Sequence, residues 1–150
     1  MTAVLTRTSK GGIPLWVNLL QAVLILIMTQ QVFELFLDHG ALNAKGWSTE
    51  GDANLNLVYE MGARLGAMVV ISIFVMVTQN PRQYVVVLLL NVVREASEGI
   101  IDPLYPVDNA PAGPWTDFII HVVVVAIEVA ALVTVLRIAR RQDAGQALAH

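Results

Sequence analysis

Residues 84–102 read YVVVLLLNVVREASEGIID, an apolar run that continues into a segment with five polar side chains. At about 100° per residue, these five side chains fall within an arc of about 100° on one face of a helix. Charged groups inside a membrane segment are costly, so they face a partner, a cavity or a binding site. This stripe is therefore the first place to look for function, and its members are Asn91, Arg94, Glu95, Glu98 and Asp102.

The composition is typical of a polytopic membrane protein with a single domain. Of the 150 residues, 56% are hydrophobic and only 14% are charged, which is well outside ordinary globular usage. The net charge is −3 and no basic tract extends beyond Arg140 and Arg141, so nucleic acid is not an expected partner. The chain has no cysteine, which excludes disulfides, thiolate metal sites and cysteine nucleophiles.

Four segments are long enough to cross about 30 Å of hydrocarbon, which needs roughly 20 residues. The predicted spans are residues 15–37, 55–78, 83–101 and 115–138, and residues 142–150 are predicted to form a flexible tail. We therefore predict an all-α fold, an integral membrane four-helix bundle formed by residues 1–150 as one membrane domain.

The charges of the loops predict that both termini are cytoplasmic. Six of the nine Lys and Arg residues lie in the two termini and the second loop, namely Arg7, Lys10, Arg82, Arg137, Arg140 and Arg141. Lys45 is the single base of the first loop, and the third loop carries acids only. Positive charge favours the cytoplasmic side, so this pattern requires an even number of spans, which agrees with the count of four.

The other predicted spans also carry polar residues, mostly in their outer halves. A four-helix bundle can gather these residues and the stripe into one polar chamber that opens outward. The predicted ligand-binding residues are Glu34, Glu60, Arg64, Asn91, Arg94, Glu95, Glu98, Asp102, His121 and Glu128.

The charges predicted for this chamber do not balance. Two ion pairs, one at Arg64 and one at Arg94, leave three of the five deep glutamates unmatched. Burial favours the neutral form of a carboxyl group; otherwise a cation, a metal or water must compensate. The arginine pairs fit a purely structural contact between helices equally well.

Residues 94–98, REASE, match the R-E-x-x-E pattern of iron permeases. Adjacent acids on one helical face can bind a hard cation or iron, and His121 or Glu128 can complete the coordination shell. The corresponding hypothesis is a metal site formed by Glu95, Glu98, His121 and Glu128. The permeases have more spans and two copies of the motif, whereas this chain has one.

Several features resemble the DoxX-like group of small four-span membrane proteins, which are mostly bacterial. They are residues 60–67 (EMGARLGA), the short loop at Pro81, Arg94 with Asp102 late in the third span, and Glu128 in an apolar fourth span. The resemblance covers about residues 15–140 and implies a multi-pass protein of the bacterial inner membrane. The founding name belongs to a subunit associated with thiosulfate oxidation and quinone reduction, and other members look like accessory factors in oxidative-stress complexes. The four-span EXPERA group of sterol isomerases and lipid-binding proteins has a similar acid-lined pocket, without a residue-by-residue match.

Three function hypotheses follow, of which the sequence favours the first, closely followed by the second. The first is an accessory subunit of a larger respiratory or oxidative membrane complex, in contact with other subunits or a second copy, through the small residues Gly62 and Gly66. The second is a site for a lipid, a quinone or another amphiphile, with or without chemistry, in which Arg64 and Arg94 hold the polar head. The third is a proton or metal-cation transporter that uses the stripe. No nucleophile–base set and no nucleotide motif occurs, which favours a non-enzymatic role.

Overall fold

The computed structural model describes residues 12–106 and 113–147, with the side chains of 145–147 excepted. Within these residues the chain forms five helices and no strand, so the all-helical prediction is confirmed. The helices are α1 (Leu15–Leu37), α2 (His39–Ala44), α3 (Asp52–Thr78), α4 (Pro81–Leu104) and α5 (Pro114–Ala147).

Three of these helices, α1, α3 and α5, are long and apolar enough to cross a membrane. Helix α4 has 24 residues, which is also long enough, but its central part carries Arg94, Glu95 and Glu98. Three long apolar helices fit a multi-pass membrane protein.

The helices differ from the predicted ones in two places. The sequence pattern did not predict the short helix α2, and α5 continues to Ala147, nine residues past the predicted end of the fourth span. Arg7 and Lys10, on which the predicted orientation partly depends, lie outside the described residues, as do Asp108 in the third loop and the last three residues of the tail.

The turn between α3 and α4 is set by three consecutive residues. Gln79 ends α3 in the left-handed conformation, with φ of 54°. The Asn80 side chain then accepts a hydrogen bond from the backbone N–H of Arg82 at 3.0 Å, and Pro81 occupies the first turn of α4. This tight turn makes α3 and α4 antiparallel neighbours.

The long helices pack as two pairs, α1 along α3 and α4 along α5. The pairs meet in an apolar cluster that includes Val17 of α1, Val75 of α3, Leu88 of α4 and Val135 of α5. These residues lie toward the end of the bundle where α1 and α4 begin. We call this the cluster end, and the other end, where α3 and α5 begin, the chamber end.

Helices α4 and α5 approach each other closely at Gly99. A Cβ atom added there would lie 2.8 Å from Cβ of His121, so the lack of a side chain is what allows His121 to pack against α4. Gly62 of α3 is likewise covered, by the ring of Phe36 of α1, whereas nothing lies within 4 Å of the corresponding position at Gly66. Of the pair Gly62 and Gly66, only Gly62 therefore lies in a close helix contact within the described residues.

Candidate functional site

A cavity of about 680 Å³ lies at the chamber end, between the two helix pairs. All four long helices contribute to its wall, and we call this cavity the chamber. Apolar side chains line part of it, including Leu35, Leu65, Met68 and Ile101. Five of the predicted site residues also line it, namely Glu34, Arg64, Arg94, Glu98 and Asp102.

Two ion pairs lie on the α1–α3 side. Glu34 accepts a hydrogen bond from Nζ of Lys45, which also lines the chamber, at 2.5 Å. Arg64 bonds to Glu60 at 2.6 Å, one turn away on α3, and its side chain is 76% exposed. Glu60 does not line the chamber, so of this predicted pair only the arginine contributes to the wall.

On the α4 side, Arg94 holds both acids of the REASE segment. One terminal nitrogen bonds to Glu98 at 3.4 Å and the other donates to Glu95. The Arg94 side chain is only 17% exposed, so this is a largely buried group with two carboxylates and one guanidinium. The same spacing that suggested a metal site thus places both acids against Arg94.

His121 connects the buried part of the stripe to the chamber. Its Nδ1 atom lies 2.9 Å from Glu95, and its Nε2 atom lies 3.4 Å from Asp102 and 3.6 Å from Asp117. Both aspartates line the chamber, whereas His121 and Glu95 lie behind its wall. His121 thus contacts three carboxylates, of which Asp117 lies one turn away on its own helix.

Two sets of side chains have the spacing of a metal site. Atoms of Glu95, Glu98 and His121 lie within 4.8 Å of one another, and so do atoms of Asp102, Asp117 and His121. Neither set includes Glu128, the fourth ligand of the iron hypothesis. A cation in the first set competes with Arg94 for the same oxygens, so the geometry adds no support to iron binding, which stays a prediction.

A second group of polar residues lies deeper, with one member on each long helix. Gln21, Ser72, Asn91 and Glu128 are all fully buried, and we call them the buried polar group. Asn91 donates to the side-chain oxygen of Gln21 at 3.5 Å. Five other polar atoms of this group have no hydrogen-bond partner within the described residues. They are Nε2 of Gln21, Oγ of Ser72, Oδ1 of Asn91 and both carboxylate oxygens of Glu128.

The predicted single chamber is therefore two regions. Asn91 and Glu128 belong to the buried polar group and do not line the chamber, although both were expected there. Gln21 and Ser72 were not among the predicted site residues. A glutamine on an apolar helix is a usable sequence signal, but a serine in a membrane helix is too common to be one.

Neutral side chains link three helices at the cluster end. Tyr84 donates to Asn18 at 2.5 Å, and the amides of Asn18 and Gln79 exchange hydrogen bonds of 3.0 and 3.3 Å. These contacts fix α1 against the turn between α3 and α4. They involve no charged group, in contrast to the chamber end.

Comparison with protein-family models, with curated proteins and with solved structures finds no match for this chain.

The two arginines of the chamber are expected to differ sharply in their effect on stability. Arg94→Met leaves Glu95, whose side chain is only 10% exposed, without its guanidinium, and breaking a buried pair costs about 3–5 kcal/mol. Arg64→Met removes an exposed pair within one helix, which is worth about 0–1 kcal/mol. The free energy of unfolding of the two variants in the same detergent measures the difference, and equal losses would contradict the burial of the Arg94 group.

Proposed function

We propose that this chain is a four-span membrane protein that binds an amphiphilic small molecule, a lipid or a quinone, in the chamber. The observation that carries the proposal is the composition of the chamber wall. Apolar side chains from α1, α3 and α4 meet arginine, lysine and carboxylate groups in a cavity of about 680 Å³. That volume lies in the range of small-molecule sites, which are mostly apolar with a few fixed polar groups.

The charges of the wall suit a polar or zwitterionic head group. Lys45, Arg64 and Arg94 offer donors, while Glu34 and Glu98 offer acceptors, and each cation already has a carboxylate partner. A head group that both accepts and donates hydrogen bonds can join these pairs without leaving a charge unmatched. The apolar body of the ligand would pack against the neighbouring leucine, isoleucine and methionine side chains.

The exposed surface of α4 supports its assignment as the third span. Between its first turn and its last residue, the exposed positions are apolar except for one, and they are Val86, Leu89, Leu90, Val93, Ser97, Ile100, Ile101 and Leu104. The exception, Ser97, donates its hydroxyl to the carbonyl of Val93 at 2.7 Å. Arg94 and Glu95 are thus shielded by the bundle, while the exposed residues in this range are almost all apolar, as lipid requires.

Labelling of single cysteines tests the four-span arrangement with both termini in the cytoplasm, since the chain has no native cysteine. In intact cells, a membrane-impermeant maleimide should label Ser48→Cys and Gly113→Cys. It should label Arg82→Cys and Arg141→Cys only after permeabilisation. The cysteine-free chain is the control, and labelling of Gly113→Cys and Arg82→Cys from the same side would show that α4 does not cross.

Native mass spectrometry tests ligand binding in the chamber, with a short-chain quinone and a short-chain phosphatidylethanolamine, which is zwitterionic, as separate probes. We expect one bound molecule per chain for one of the probes. Met61 lines the chamber, so Met61→Trp should fill part of it and weaken binding about tenfold or more, which is at least about 1.4 kcal/mol. Val70→Trp, on the outward face of α3, is the matched control. Undiminished binding by Met61→Trp, or equal weakening in both variants, would contradict the proposal.

A second candidate function is an accessory subunit of a larger respiratory or oxidative complex in a bacterial inner membrane. Gly66 favours it, because nothing within the described residues covers this position and the exposed Val70 lies one turn away. A small residue on an outward helix face allows another helix to approach closely. The partner would be another membrane subunit or a second copy of this chain.

Co-purification in mild detergent tests this candidate. We expect a stoichiometric partner with the native chain and its loss in Gly66→Leu, because the added side chain blocks close helix approach. Val70→Leu adds only one methylene group at a position that already carries a branched side chain, and it should retain the partner. A solitary particle of a single chain under all mild conditions would contradict the subunit function.

A further inference from the structure

Glu128 lies at the centre of the fourth span and has no hydrogen-bond partner for either carboxylate oxygen within the described residues. It is fully buried. An uncompensated carboxylate in a protein interior costs at least several kcal/mol. Something must therefore neutralise it: a proton, an arginine or a bound cation.

The neighbouring arginine does not supply this charge. The charged groups that act on Glu128 are Glu95, Arg94 and Glu98, all on α4. Arg94 bonds to both of these glutamates, and His121 contacts Glu95 as well. The guanidinium of Arg94 is therefore already shared by two carboxylates before Glu128 is counted.

Glu128 lies at the same depth as Asn91 and Gln21. His121 packs against Gly99, and seven residues further along α5 correspond to about 10 Å of rise toward the cluster end. The same distance back along the antiparallel helix α4 reaches residue 92, next to Asn91. Because Asn91 bonds to Gln21, these residues bring α1, α4 and α5 together at one level.

Ser72 lies about one turn from this level, toward the chamber. Asn18 and Gln79 hydrogen-bond to each other and so align α1 with α3. Ser72 precedes Gln79 by seven residues, and Ile25 follows Asn18 by seven, which places Ser72 beside Ile25 and about one turn beyond Gln21. All four long helices thus direct one buried polar residue into the same part of the bundle.

The unpartnered acceptors of this group are oxygen atoms: two carboxylate oxygens of Glu128, the amide oxygen of Asn91 and the hydroxyl of Ser72. Oxygen donors select hard cations over transition metals. A single carboxylate balances one positive charge, so a monovalent cation fits better than a divalent one. Bound there, such a cation neutralises Glu128 and satisfies the orphaned oxygens of two neighbouring helices.

We propose that Glu128, Asn91 and Ser72 bind a monovalent alkali cation, Na⁺ in the first instance, in the centre of the bundle. Gln21 positions Asn91 by accepting its amide hydrogen bond. We place the route of entry at the chamber, because its wall residues Arg94 and Glu98 lie close enough to Glu128 for their charges to act on it. This site rests on different residues from the amphiphile site, and neither requires the other.

Carbodiimide labelling of Glu128 tests the site. Dicyclohexylcarbodiimide modifies a carboxyl group in an apolar environment when it carries a proton and no cation. The detergent-solubilised full chain is labelled at fixed pH and ionic strength in NaCl or in choline chloride, and peptide mass spectrometry locates the adduct. We expect saturable protection, with labelling about tenfold slower at a Na⁺ concentration tenfold above the Kd. Thermal unfolding in the same two salts gives an independent readout, in which Na⁺ raises the Tm.

Variants separate the site from a general salt effect. Ser72→Ala and Asn91→Ala should shift the protection to higher Na⁺ concentrations, and Glu128→Gln should lose both the adduct and the Na⁺-dependent rise in Tm. Ser97→Ala is the control, because that hydroxyl is exposed and bonds within its own helix. Equal Tm in the two salts, with equal labelling or with none in either, overturns the proposal. Equal labelling then leaves a simple protonated carboxyl, and no labelling in either salt leaves a carboxyl that the reagent does not reach. Protection by Ca²⁺ at lower concentrations than Na⁺ overturns the monovalent assignment.

Discussion

The structure depends on shielding the polar stripe of α4, and the close packing of α4 on α5 provides the shield. Gly99 allows His121 to approach α4, and from there His121 contacts Glu95 on one side and Asp102 on the other. Glu95 and Asn91 are consequently buried, and the opposite face of α4 is left apolar. Without this cover, α4 would expose several charged groups to any apolar surroundings, at a cost that its aliphatic residues do not offset.

The charge imbalance anticipated from the sequence is largely resolved by two residues that were not counted in the two predicted ion pairs. Lys45, assigned to a loop, bonds to Glu34 because the short helix α2 carries the chain back over the end of α1. His121 contacts Glu95, so that this glutamate has two partners. Of the five deep glutamates, Glu128 is the one whose carboxylate has no partner in the described part of the chain.

Hydropathy was enough to locate the long helices, since the first three apolar runs end close to residues that stop a helix or begin the next one, whereas α5 continues past its apolar run. Asn80 and Pro81 show this at the turn between α3 and α4. Angular position along a helix also identified the stripe correctly as an inward face. It could not show which neighbour covers each part of that face, and for this reason Asn91 and Glu128 were grouped with the chamber although the structure places them below it. Ser72 was missed because its importance depends on three other helices, which one helical pattern does not reveal.

The distribution of polar groups along the bundle favours binding over transport by a single chain. Charged residues surround the chamber, neutral amides and one glutamate occupy the middle, and below them lies the apolar cluster that includes Val17, Leu88 and Val135. The side chains of Asn18 and Tyr84 lie at the level of that cluster and are hydrogen-bonded to each other. A charged solute that entered from the chamber would therefore lose its polar contacts before it reached the cluster end, and the cost of that step is that of moving a charge into a packed apolar interior. Access from one end, with polar groups that end midway, is the arrangement expected of a site that holds a molecule or an ion and releases it to the side from which it came.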